Sequence, residues 1–155
     1  MKTLPILFIF LFSFTHITFA QETDAEKLQQ AIESKTFEFV VHQASGMRGR
    51  TIQLTSGYTL DMNPEKVKAD LPFFGRAYSA TPGSTDGGIK FEFTDYAYKI
   101  KPRKKGGWDI TIEPSEPNDV RFVYLTIQKT GNASLRITSN NKEGMSYSGV
   151  VNVND

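Results

Sequence analysis

The sequence predicts a mainly β domain, an antiparallel meander closed as a barrel or a two-layer sandwich, with one N-terminal helix packed on it. Three observations carry this. Apolar residues recur every second position from Phe37 to Val153, as strands with one dry and one wet face require. Short Gly-, Asn- and Asp-bearing breaks separate the runs, leaving no room for the crossover helices that parallel strands need. Only one stretch, residues 22–34, has helical periodicity.

That stretch begins with a capping signal. Thr23 and Glu26 stand three apart, so hydroxyl and carboxylate can each satisfy a free backbone N–H at a helix start. Ala25, Leu28 and Ile32 then form a narrow apolar stripe. So short a helix is marginal alone in water, so it must pack against the sheet or plug one end of it. The alternation begins with Phe37, Phe39 and Val41 on one side and Glu38 and His42 on the other. It continues through Ile52/Leu54, Tyr58/Leu60/Met62, Val67/Ala69/Leu71 and Ile89/Phe91/Phe93. Tyr96/Tyr98/Ile100, Trp108/Ile110/Ile112, Ala133/Leu135/Ile137 and Met145/Tyr147/Val151 complete it. Val120 to Ile127 differs, being apolar or aromatic on both faces, which predicts a strand covered on both sides with the helix as the cover. Thr94-Asp95, Lys105-Gly106-Gly107 and Thr130-Gly131-Asn132 are expected to be turns joining antiparallel neighbours. The segment Leu71 to Gly88, with two prolines and four glycines, is expected to be irregular.

Ahead of the domain, Met1-Lys2, the apolar run Leu4 to Phe14 and the small residues Thr18 and Ala20 form the pattern of a secretory signal peptide. The expected organisation is a signal peptide over 1–20, the helix within 21–35 and the β domain over 36–155. The expected location is periplasmic or secreted. The chain has no cysteine, so it is not expected to be a lipoprotein, and no disulfide supports the fold. It carries 18 basic and 17 acidic side chains, and Lys2 is the one charge in residues 1–20, so the remainder is balanced. That balance argues against a nucleic-acid partner and leaves local patches open. No stable membrane insertion is expected after cleavage.

Leu71-Pro72-Phe73-Phe74-Gly75-Arg76-Ala77-Tyr78, followed by Asp86-Gly87-Gly88-Ile89-Lys90-Phe91, resembles the signature of domain-of-unknown-function family 4251. Asn118-Asp119-Val120, Leu125-Thr126-Ile127, Thr138-Ser139-Asn140-Asn141 and Ser146-Tyr147-Ser148-Gly149 extend the resemblance over roughly residues 36 to 150. It implies an exported protein of the Bacteroidota lineage. It carries over no catalytic residue. Some relatives are lipoproteins, a pattern from which this cysteine-free chain departs.

Chemistry is sparse. His42 is the only histidine beyond residue 20, and its alternation predicts a solvent-facing side chain, so neither a nucleophile–histidine pair nor a zinc site can be assembled. Ser84-Thr85-Asp86-Gly87-Gly88 lacks calcium-loop spacing and reads as a turn. No catalytic residue, metal or cofactor is expected. Glu38, Asp61, Glu92, Glu113 and Asp119 lie on or near strands, as solvated faces also show, and a carboxylate pair among them would suit glycan hydrolysis. The basic run Lys99 to Lys105 reads as a solvated hairpin tip, with contact to an anionic polymer or lipid headgroups as its alternative. Asn132-Ala133-Ser134 matches a glycosylation acceptor that the bacterial resemblance makes idle.

The sharpest binding candidates are Phe73, Phe74, Arg76, Tyr78 and Asp86. A guanidinium can clamp a carboxylate or phosphate, and neighbouring rings can stack on a sugar or an apolar group. Alternatively, Phe73 and Phe74 close the core, Gly75 permits a bend and Arg76 meets an acid. Three functions follow from this reading. One is a non-enzymatic ligand-binding or envelope-interaction module, whose partner is a small anionic or glycan ligand or an envelope protein. The others are a carboxylate-dependent glycan hydrolase and a structural component of the cell envelope.

Overall fold

The computed structural model describes residues 23–47, 49–55, 57–78 and 87–153. The signal-peptide reading and Asp86 lie outside them. Among the described residues one helix, α1 (Asp24–Ser34), precedes ten strands. They are β1 (Phe37–Gly46), β2 (Thr51–Gln53), β3 (Thr59–Met62), β4 (Val67–Leu71), β5 (Ile89–Phe93), β6 (Tyr96–Pro102), β7 (Trp108–Pro114), β8 (Val120–Ile127), β9 (Asn132–Ser139) and β10 (Met145–Val153). All pairings are antiparallel, in the order β5-β4-β3-β1-β10-β9-β8-β7-β6, with β2 on β1. The sheet is thus two meanders joined by the β1–β10 pair, and it curls into a nearly closed barrel.

The registers show how. Followed one way, Phe93 lies level with Val67, Met62 and Phe37. Followed the other way, Tyr98 lies level with Ile112, Val123, Ile137, Met145 and Gly46. Phe93 and Tyr98 are close in sequence, yet their partners on β1 are its two ends. Such stagger is what closing a tilted sheet demands.

The same path corrects the reading of Thr94-Asp95 as a turn between paired strands. Eight antiparallel steps separate β5 from β6, so the two run in the same direction and do not pair. They form one bent run that leaves β4 at Phe93 and joins β7 at Asp95, whose carbonyl accepts from the Ser115 N–H at 3.1 Å. The bend also shifts the inward parity from Ile89, Phe91 and Phe93 to Tyr96 and Tyr98. Strands that change sheets at a bend are a common way to turn a corner.

The interior is wholly apolar: every buried side chain is hydrophobic, from Leu28 on the helix to Val151 on β10. Among the described residues the core thus runs from 28 to 151. Helix α1 has the predicted capping box, and Leu28, Ala31 and Ile32 are buried in the same core as the strands. It ends at Lys35 in the left-handed region (φ 60°), where the Lys35 and Thr36 N–H groups return to Ile32 and Ala31. Glycine is the usual residue there. Here the Lys35 ammonium stands over the rings of Tyr96 and Tyr98 at 5.0 and 5.2 Å, a contact glycine could not make. The Tyr98 hydroxyl donates to the Ile32 carbonyl at 2.9 Å, one of the orphan acceptors of the helix end. The helix therefore packs at the barrel end where β1 begins, not over β8. The outer face of β8 is not covered by it: Arg121 and Tyr124 are exposed, and Phe122 is stacked on Tyr124. That strand is rich in apolar residues because its outward aromatics cover one another.

Opposite the bulge at His42, β10 carries Gly149 so close to β1 that a Cβ there would overlap the Val40 carbonyl oxygen. Gly149→Ala should destabilise residues 21–155 by about 1–3 kcal/mol in urea unfolding, the range for forced overpacking. Tyr98→Phe, which keeps the ring and removes the bond to the helix, should cost about 1 kcal/mol.

Burial pushes the Tyr147 phenol well above its ordinary value, and burial with Tyr96 alongside does the same for Tyr98. Both native phenols thus hold their protons beyond the pH, about 10, at which the unfolded chain releases them. The stability they confer is complete below that pH and is lost as pH rises toward their folded values. Urea midpoints should therefore fall between pH 9.5 and 11.5, and fall less steeply in Tyr147→Phe.

Candidate functional site

Every buried side chain among the described residues is apolar, so the polar groups that could bind a ligand sit at the barrel ends or on its outer face. At the end away from α1, residues 72–78 leave β4 and cross the barrel mouth as a strap. Its start is buried: Tyr147, pointing inward from β10, donates to the Pro72 carbonyl at 2.8 Å. Phe73 packs against the core, with the Lys142 ammonium 5.6 Å from its ring. The same ammonium donates to the Gly88 carbonyl at 2.8 Å, tying the start of β5 to the strap. Beyond Gly75 the strap pairs with the β9–β10 loop. The Arg76 N–H donates to Glu143 Oε2 at 3.0 Å, Glu143 N–H returns to the Arg76 carbonyl at 2.9 Å, and Tyr78 N–H reaches Asn141 O at 2.7 Å.

That loop is itself anchored. Asp119 accepts from the Asn141 N–H through Oδ1 and from the Asn140 N–H through its carbonyl. The Asn140 amide donates to Asn118 O, and Ser139 Oγ accepts from the N–H groups of Asn141 and Lys142. Sequence blocks far apart in the chain, 71–78, 118–120, 138–141 and 146–149, thus meet in one hydrogen-bonded mesh. Most of their polar groups are spent holding the strap in place.

Three side chains of the strap are not. Phe74 is 50% exposed, Tyr78 is 71% exposed and Arg76 is exposed. Phe74 and Arg76 line a cleft of about 400 Å³ with Met47, Arg50, Ile52 and Glu143. Met47, at the tip after β1, is 71% exposed. Two guanidiniums therefore face one carboxylate, and that carboxylate already accepts the Arg76 N–H. Neither guanidinium has an ion-pair partner among the described residues. The cleft has an apolar wall of Met47, Phe74 and Ile52 and a cationic excess.

Of the residues singled out from sequence, the structure brings Phe74 and Arg76 into this cleft. Phe73 turns to the core, and Tyr78 is exposed outside the lining. Met47, Arg50 and Glu143 were not singled out. The run Gly46-Met47-Arg48-Gly49-Arg50 held a usable signal, since a methionine among glycines and cations has no alternating strand to belong to.

The carboxylates fall otherwise. Glu38 and Asp61 are cross-strand partners on the outer face, where Asp61 accepts from the Thr59 hydroxyl at 3.1 Å. Glu92 is paired with Lys66 at 3.2 Å, and Asp119 is held in the loop mesh. Glu113 and Glu116 border a shallow depression of about 330 Å³ with Asn118 and Arg121, and Glu116 is exposed. None of the carboxylates of the described residues is buried. His42 is exposed at the β1 bulge. No group of three or more metal-ligating side chains occurs among the described residues.

Comparison with known proteins places this geometry. A family model described as "Domain of unknown function (DUF4251)" matches residues 20–151. The crystal structure of a DUF4251 family protein from Bacteroides eggerthii superposes with a TM-score of 0.65. It shares 20% sequence identity, over 84% of this chain and 87% of that one. No curated protein matches.

The two adjacent phenylalanines should separate cleanly. Phe73→Ala should cost about 3 kcal/mol or somewhat less in urea unfolding, because the ring is half-buried. Phe74→Ala should stay within about 0.5 kcal/mol of the parent.

Proposed function

We propose a binding function for this chain, which belongs to the DUF4251 family of domains of unknown function. It is a non-enzymatic module, acting outside the cytoplasm after export, that holds a small anionic ligand bearing an apolar group in the cleft at the strap end. The observation that supports this most is a division of labour within 72–78. Backbone groups, Pro72 and Phe73 fix the strap, while Phe74 and Arg76 project into a cleft beside Met47 and Arg50 without serving the fold. A pre-fixed strap loses little entropy when its side chains engage a ligand. Paired guanidiniums favour carboxylate or phosphate geometry, and exposed Met and Phe supply an adaptable apolar wall. The apolar buried side chains favour a site on the rim over one inside the barrel, and the outward, solvated carboxylates favour binding over hydrolysis.

Phenyl phosphate and octanoate, titrated into ¹⁵N-labelled residues 21–155, test the reading. Amide shifts should concentrate at 46–52, 74–76 and 143. Arg76→Ala and Arg50→Ala should each weaken binding about tenfold or more, as expected for a lost charged hydrogen bond, with unchanged melting temperatures. Binding of neither probe, or binding indifferent to both arginines, would overturn it.

A further inference from the structure

The opposite end of the barrel carries a second charged feature, independent of the cleft. The basic run is a hairpin tip: Arg103 N–H reaches Gly107 O at 3.0 Å and Gly106 N–H reaches Arg103 O at 2.9 Å, leaving Lys104 and Lys105 at the turn. The register places this tip beside the β8–β9 turn, since Trp108 lies opposite Ile127 and Ile127 opposite Ala133. Lys129 from that turn runs along Gly106, so close that a Cβ on Gly106 would meet its side chain at 2.7 Å. Lys129 also lines a cleft of about 480 Å³ with Lys27 and Asp24 from the first turn of α1. Three elements distant in sequence therefore set Lys27, Lys101, Arg103, Lys104, Lys105 and Lys129 on one end, all exposed.

The acids of the described residues nearby are fewer: Asp24 and Glu26 in the first turn of α1, the latter folded back on the Thr23 N–H, and Asp109 on β7. Asp109 is engaged by Arg103 at 3.5 Å and accepts from the Thr126 hydroxyl at 2.8 Å. Asp24 is the one carboxylate lining the α1 cleft. Lys27, Lys101, Lys104, Lys105 and Lys129 have no carboxylate partner among the described residues. Six of the chain's 18 basic side chains stand on this one end.

What that end faces follows from where the chain enters it. Thr23, the N-cap of α1, immediately precedes Asp24 at the α1 cleft, and the apolar run of the sequence ends at Phe14. Nine residues reach at most about 32 Å even fully extended. Until the chain is cut after Ala20, a bilayer that holds the apolar run lies within that reach of Thr23, and so of the basic end. We propose that this end is a peripheral docking surface for an anionic phospholipid bilayer, held by headgroup phosphates and without insertion. Lys104, Lys105 and Lys129 stand on turns at the barrel rim, which suits a flat charged surface.

The test uses residues 21–155, which contain the core of the described residues but not the apolar run. Sedimentation with phosphatidylglycerol–phosphatidylcholine vesicles should show binding at 50 mM salt that is lost at 500 mM and absent on pure phosphatidylcholine. Each cation near an anionic leaflet contributes roughly fivefold in partitioning. The triple variant Lys104→Glu, Lys105→Glu, Lys129→Glu should therefore bind at least about 100-fold more weakly. A control with the same net charge, Lys68→Glu, Arg121→Glu, Arg136→Glu, should retain most binding. Circular dichroism melts check that both variants fold. Equal loss in both variants would show attraction by net charge and overturn the proposal. So would the absence of vesicle binding, or binding to heparin without binding to vesicles.

Discussion

The structure depends on one strand that changes partners. Because the path from β5 to β6 takes eight antiparallel steps, the sheet's two edges run in the same direction and cannot be zipped together as a hairpin. The chain passes instead from one edge to the other through Thr94 and Asp95, and closure there falls to side chains. Tyr98 reaches the helix end, Tyr96 contacts the Asn63 carbonyl at 3.4 Å across the seam, and Lys35 stands over both rings. The helix is thereby part of the barrel wall as much as its plug. Without it, Tyr98 would lose its acceptor and the seam most of its cover.

Closure by side chains also explains the division between the two ends. The ten strands bury only apolar side chains among the described residues, so the polar groups the protein offers to other molecules lie on its rims and outer face. One rim is sealed by α1 and the other by the 72–78 strap, and both seals work through a tyrosine hydroxyl donating to a main-chain carbonyl: Tyr98 to Ile32 and Tyr147 to Pro72. Burial holds both phenols protonated above their ordinary range, which suits side chains that act as donors.

Much of the fold was legible because alternation and burial express the same period. Phe37, Phe39 and Val41 lie inward as read, and so do Leu60, Met62, Ile110 and Ile112. The helix start was legible because Thr23 and Glu26 carry a local hydrogen-bonding pattern. Two readings failed for a common reason. Thr94-Asp95 marks a parity slip, and a slip looks alike whether the chain turns back or bends onward; only the long-range pairing of β4 and β7 decides. The outer aromatics of β8 likewise look alike in sequence whether another element covers them or, as here, they stack on one another at the surface. The cleft was half legible: Phe74 and Arg76 share one irregular segment, whereas Arg50 and Glu143 reach it through tertiary pairing that no local pattern encodes.

The sequence blocks that carry the family resemblance gain a physical meaning here. Asn118, Asp119, Ser139, Asn140 and Asn141 all direct hydrogen bonds into the loops beneath the strap. A residue set can thus define a family by the geometry it imposes, without touching any ligand. That argues for looking past the most specific residues to the side chains they hold out. Gly75 shows the mechanism: a Cβ there would lie 2.9 Å from the Phe73 ring and 3.2 Å from Glu143, so glycine lets the strap fold down on its own anchor. With the strap pressed against Phe73 and Glu143, Phe74 has no interior to enter and is left on the cleft wall beside Arg76.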